Sequence, residues 1–161
     1  MRIPYYTEEQ CETIQRYHKE LLERARAENQ GKEVAFVFRP DMTDKQVFLG
    51  SEDTLDFGSS LYGTDLIVMH NHPNNSSFSA TDISFMLACD GVQCMTIVKN
   101  DGGVEILIKT DTYDRSKAMT ELNRYYKKYA PSKSDGQITK AIYEFLRKGK
   151  GGFKWITTGG C

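Results

Sequence analysis

The chain has 161 residues, 39% hydrophobic and 27% charged, with a net charge of −1, which excludes a disordered or fibrous polypeptide and allows a buried core. No apolar run approaches the roughly 20 residues of a membrane span, and Met1-Arg2-Ile3-Pro4-Tyr5-Tyr6 lacks the apolar centre of a signal peptide, so a cytoplasmic location without a membrane partner is expected. Cys11, Cys89, Cys94 and Cys161 are too few and too scattered for a disulfide scaffold, and Cys89 and Cys94 read as small core residues flanking a turn.

In chain order, Thr7 followed by Glu8, Glu9 and Gln10 is a helix start with a hydroxyl cap, acidic first turn and reciprocal partner three residues on. This helix is expected to run to about Ala27 and to pack Cys11, Ile14, Leu21, Leu22 and Ala25 on a sheet, with His18 on its solvated face. Lys32 to Phe38 reads as a strand, Asp41 to Asp44 as a turn, and Gln46 to Leu49 as the second strand of an antiparallel hairpin. The polar stretch Asp53 to Gly63 is expected to be irregular. Leu66 to Met69 is a short apolar run that ends in His70 and His72, and Pro73 closes it.

A loop over Asn74 to Phe78 leads to Ser79, a natural N-cap, and to a helix ending near Ala88. Met95 to Lys99 and Val104 to Lys109 are strands joined by Asn100-Asp101-Gly102-Gly103, a hairpin turn. A helix from Asp114 to about Tyr129 is expected to turn Met119, Leu122 and Tyr126 to one side before Pro131 stops it. Another, from about Gln137 to Lys148, carries Ile138, Ala141, Ile142, Phe145 and Leu146 toward the core. The tail 149–161 has glycine pairs and the one tryptophan, Trp155, and no role follows from its sequence.

With no linker, repeat or low-complexity segment, residues 1–161 are expected to form a single domain. Its fold class is α/β (α+β), a mixed, largely antiparallel sheet with helices packed on its faces.

Chemistry concentrates in residues 66–82. On a strand, side chains alternate, so His70 and His72 share one face with Asn71 on the other, and both imidazoles can reach one ion about 2 Å from each ring nitrogen. Asp82, three residues after Ser79, faces back toward the helix start and the strand end, where it can be a third ligand. Two imidazoles and one carboxylate leave zinc an open fourth position, as in catalytic sites. Each part also has an ordinary explanation, a polar strand end or a capping pair. Their coincidence within residues 70–82 of a chain with three histidines favours the metal.

His70-Asn71-His72-Pro73, then Ser79-x-x-Asp82, and Glu33 opening the strand Glu-Val-Ala-Phe-Val-Phe together resemble the JAB/MPN (JAMM) metalloprotease family. Asn71 makes the chain most similar to its RadC-like and phage-associated bacterial branch. The match covers about residues 5–110, followed by a basic helical part over about 114–148. The resemblance implies a JAB/MPN-like domain in which His70, His72 and Asp82 ligate one zinc ion. It further implies that Glu33 is the general base toward water and then the proton shuttle, and that Ser79 helps stabilise the oxyanion. Glu52 is a substitute for Glu33.

The implied activity is hydrolysis of a peptide or isopeptide bond, with a protein or peptide substrate such as a ubiquitin-like C-terminal tail. The short interval from Glu33 to His70 leaves little room for the insertions with which eukaryotic relatives grip ubiquitin. The alternative is a DNA- or mobile-element-associated binding protein whose metal site is structural or vestigial. It is motivated by eleven Lys and Arg against four Asp and Glu from Asp114 onward, a basic part suited to nucleic acid. A small-molecule zinc deaminase is disfavoured, since the chain has no Cys-x-x-Cys pair.

Overall fold

The computed structural model describes residues 1–50, 61 and 63–158. Helix α1 (Glu8–Glu28) precedes strands β1 (Val34–Phe38), β2 (Gln46–Leu49) and β3 (Leu66–His72) and helix α2 (Ala80–Ala88). Strands β4 (Val92–Lys99) and β5 (Val104–Lys109), helices α3 (Arg115–Tyr129) and α4 (Asp135–Lys148), and strand β6 (Phe153–Thr158) complete the order. The result is an α+β fold with one six-stranded sheet ordered β2-β1-β3-β4-β5-β6. Every neighbouring pair is antiparallel except β3 and β4, which run parallel because α2 carries the chain back between them.

The sheet has two covered faces and two cores. Alternation along β1 and β3 sends Phe36, Phe38, Ile67 and Met69 to the face covered by α1, where they meet Ile14, Leu21 and Ala25. Val37, Leu66 and Val68 point the other way, toward Ile83 and Met86 of α2, Leu122 and Tyr125 of α3, and Ile142 and Phe145 of α4. A central strand enclosed on both sides has no solvated face, so all seven residues of β3 are buried.

The hairpins β1–β2 and β4–β5 form as expected, with Val34 opposite Leu49 and Cys94 opposite Ile108. Cys94 is buried, and Cys89 caps the end of α2.

Two expectations are corrected. His18 is buried, at 4% exposure, and its Nε2 lies 2.9 Å from Thr96 Oγ1 of β4. The buried stripe of α1 is Cys11, Ile14, His18, Leu21 and Ala25, at alternating steps of three and four, so His18 occupies a core position of an amphipathic helix. Burial away from charge pulls its pKa down to about 4. On α3 the inward residues are Ala118, Leu122 and Tyr125, while Met119 is exposed and Tyr126 half-buried.

The tail, whose sequence assigned it no role, supplies β6, the sixth strand, as far as Thr158. Its approach turn is built from Gly149 and Gly151-Gly152, all at positive φ. Gly151 and Gly152 lie so close to Ala118, Thr112 and Tyr113 that a side chain there would collide with backbone. Their carbonyls accept from Asp114 N and Thr110 N, which ties the turn to the β5–α3 junction.

Candidate metal centre

His70 and His72 leave the end of β3 on one face, and α2 begins eight residues later with its first turn over that strand end. Ser79 and Asp82 form a reciprocal cap: Asp82 N donates to Ser79 Oγ at 3.1 Å, and Ser79 N donates to Asp82 Oδ2 at 2.7 Å. This cap aims the Asp82 carboxylate at the imidazoles. His70 Nε2 is 3.2 Å from Asp82 Oδ1, His72 Nε2 is 3.4 Å from Asp82 Oδ2, and the two Nε2 atoms are 3.0 Å apart. The structure thus brings together the three predicted ligands, and the group could bind a metal ion.

Two tests of fit come from the geometry and the donor set. An ion with four ligands at about 2.05 Å has ligand–ligand edges of about 3.3 Å, close to the 3.0 Å between the two Nε2 atoms, while each imidazole faces a different oxygen of Asp82, so the carboxylate spans the pair. The His72 ring is also held with Nε2 inward: Nδ1 lies 3.1 Å from the Ser76 carbonyl, an acceptor for the Nδ1 proton, and 3.0 Å from Ser76 Oγ. That outer contact fixes a metal-ready tautomer. His70 differs, because its buried Nδ1 has no hydrogen-bond partner among the described residues.

Burial draws the His72 pKa down and would raise that of Asp82. Contact with Asp82 outweighs burial for His72 and holds it above its ordinary value, while the contacts of His70 first and then His72 outweigh burial for Asp82 and hold it far below the ordinary carboxylate range. The carboxylate is therefore ionised wherever the site is folded, as a cation ligand requires.

Ser79 Oγ donates to Asp82 Oδ2 at 2.7 Å. Its only proton is thus committed to orienting a ligand, and any role toward an oxyanion requires exchanging that bond. Glu33 is outside the ligand cluster. It lies immediately before β1, and since Ala35 pairs with His70, alternation puts Glu33 one rung farther along, on the same face and beside His72. Its charge is among those raising His72. Glu52 lies outside the described residues.

The loop between β3 and α2 is braced from both sides, by residues not singled out in the sequence. Asn100 Nδ2 donates to Pro73 O at 2.9 Å, and Asp101 N donates to Asn75 Oδ1 at 3.1 Å, so the β4–β5 turn supports the loop. Ser77 Oγ donates to Glu105 Oε2 at 2.7 Å. Glu105, buried on β5, also accepts from Trp155 Nε1 at 2.9 Å and pairs with Lys99 Nζ at 2.6 Å. A buried carboxylate needs such partners, so three elements converge on the loop that carries Ser76. The one sequence signal for this group was a Glu at an inward position of a strand otherwise made of core residues.

No helix among the described residues is long and apolar enough to cross a membrane. Comparison with protein families, with curated proteins and with solved structures finds no match to this chain.

Proposed function

We propose that the chain is a zinc-dependent metallopeptidase or isopeptidase of the JAB/MPN (JAMM) type. One observation carries the reading: two imidazole nitrogens and a carboxylate at mutual distances of 3.0–3.4 Å, held by a central strand and a capped helix, with a further carboxylate, Glu33, immediately before the adjoining strand. Zinc at such a site lowers the pKa of water toward about 7 and polarises a carbonyl.

The chain's own groups do the rest. His70, His72 and Asp82 hold the ion, and Ser76 and Ser79 keep His72 and Asp82 aimed. Glu33 takes the proton from the attacking water and returns it to the departing amine, which an ionised carboxylate beside the site can do in either direction. The substrate is a protein or peptide, cleaved at a peptide or isopeptide bond.

The test begins with metal content by elemental mass spectrometry on wild type and on the double variant His70→Ala/His72→Ala. About one zinc per chain, lost in the double variant, is expected, followed by metal-dependent cleavage of a fluorogenic peptide mixture. Glu33→Gln should keep the zinc and lose about 10²–10⁴-fold in turnover. Unchanged turnover in that variant would remove Glu33 from the mechanism, and a folded wild type that takes up no added zinc would refute the reading.

A second reading, binding of nucleic acid, draws on a different surface. Lys128 and Lys140 both lie against the Tyr129 ring, at 4.8 and 5.5 Å from its centroid, with exposed Lys127 and Lys133 nearby in the chain. Cations beside an aromatic ring suit phosphate and base contacts. DNA affinity falling steeply with added salt would support it, and no binding at low salt would dismiss it.

A further inference from the structure

Asn71 lies between the two histidines and points to the opposite face of β3. It is fully buried, at 0% exposure, on a face lined mostly by apolar residues, so its amide must be satisfied by the protein. Both of its polar atoms are used, and both go to the backbone of β1's leading end. Asn71 Oδ1 accepts from Val34 N at 2.7 Å, and Asn71 Nδ2 donates to Lys32 O at 3.3 Å. These two groups flank Glu33. In an extended strand, the carbonyl before a residue and the N–H after it point to the same edge, so one amide has closed both bonds that a neighbouring strand would have made.

The pairing of β1 with β3 shows why this is needed. Backbone partners run from Phe38 opposite Ile67 to Ala35 opposite His70, and there the ladder ends. Had it continued, Glu33 would be locked rung to rung against His72, with backbone filling the space between them. The side chain of Asn71 reaches where a backbone would have, so the strand ends part while their separation stays set.

On its other edge, the Glu33 carbonyl accepts from Gly50 N at 2.8 Å and from Asn29 Nδ2 at 2.8 Å, and Asn29 also donates to Gly50 O at 2.9 Å. The peptide units around Glu33 are thus fixed on both sides by two asparagines, Asn29 four residues before it and Asn71 on β3.

We infer that Asn71 is the positioning residue for Glu33: lying between two ligands of the metal centre, it transmits the placement of the ligand strand to the base. The inference rests on the proposed metallopeptidase reading. It is specific to an amide, since Oδ1 must accept while Nδ2 donates. An aspartate keeps the acceptor and loses the donor, and alanine loses both.

The test uses chain labelled with ¹³C at the glutamate carboxyls, with the Glu33 signal identified by its loss in Glu33→Gln, and zinc chloride alone as the probe. In wild type, zinc is expected to shift the Glu33 carboxyl and the ring signals of His70 and His72. In Asn71→Ala the ring signals should respond as before, with one zinc bound, while the Glu33 response falls by at least half. Asn71→Asp should fall between and can be read alone if the alanine variant does not fold.

A Glu33 response equal to wild type in the folded variants overturns the inference while leaving the metal centre standing. Loss of the histidine response in Asn71→Ala also overturns it, since Asn71 then supports the ligands themselves. If zinc moves no signal in wild type, the metal reading fails and takes the inference with it. With a cleavable peptide in hand, Asn71→Ala should cost about 10–100-fold in kcat at unchanged KM and nothing further when added to Glu33→Gln. An equal loss in both backgrounds refutes action through Glu33.

Discussion

Replacing His18 with glutamine tests the packing that supports the ligand strand from behind. The imidazole sits between α1 and β4, bonded to Thr96, in a position where a charge has no counterpart, and its pKa falls from the ordinary 6.5 to about 4. The unfolded chain therefore binds this proton more readily than the folded one. The residue contributes nothing to pH dependence above about 6.5, and below it stability declines until the pH reaches about 4. Each pH unit in that window costs about 1.4 kcal/mol, so pH 5 removes about 2 kcal/mol relative to pH 7.5. Glutamine carries an amide of similar reach to Thr96 and does not titrate.

Urea unfolding at pH 7.5 and pH 5 isolates the term, because every other titrating group is common to both proteins. The wild-type midpoint should fall by about 1 M more than that of His18→Gln, for a slope of about 2 kcal/mol per molar expected at this size. If the two proteins lose the same stability between these pH values, the imidazole is not buried as a neutral group and the reasoning is wrong.

Zinc at a hundredfold excess over its Kd should stabilise the fold by about 2.7 kcal/mol, raising Tm by several degrees in calorimetry, and His70→Ala/His72→Ala should abolish the shift. The same shift should shrink as pH falls, since protons compete for His72, whose pKa lies above the ordinary value. Glu105→Ala strands the half-buried Lys99 and releases Ser77 and Trp155, so urea unfolding should show a loss of about 3 kcal/mol, part of it recovered in Glu105→Ala/Lys99→Met. Gly152→Ala, at φ +82° against the backbone of Thr112 and Tyr113, should cost more than about 2 kcal/mol in the same assay and deplete the folded fraction.

The helices and both hairpins were legible in the sequence because their signals are local: a capping box at Thr7, alternation ending in His70 and His72, Gly-containing turns. The candidate ligand set was legible for the same reason, since strand alternation and a three-residue cap spacing place His70, His72 and Asp82 within one short segment. Most of what escaped depends on partners far along the chain. His18 looked solvated among charged neighbours, although the spacing from Ile14 and to Leu21 already marked a core position. Asn71 and Asn29 carry no motif, and their bonds to Val34 N and Gly50 O, 37 and 21 residues away, become visible only once β1 is placed in the sheet. Glycines before β6 read as a loop, and only the sheet edge left open by β5 turns Phe153–Thr158 into a strand.

That last strand has a bearing on how the protein is made. Trp155 is one of three partners of Glu105, which holds Ser77 in the loop that orients His72. During synthesis, all three ligands emerge more than 70 residues before Trp155 does. A nascent chain can therefore expose its two histidines and aspartate long before the brace around them is complete. The mature geometry of the His70, His72 and Asp82 group is deferred until β6 has docked on β5, so the brace around it closes late in synthesis.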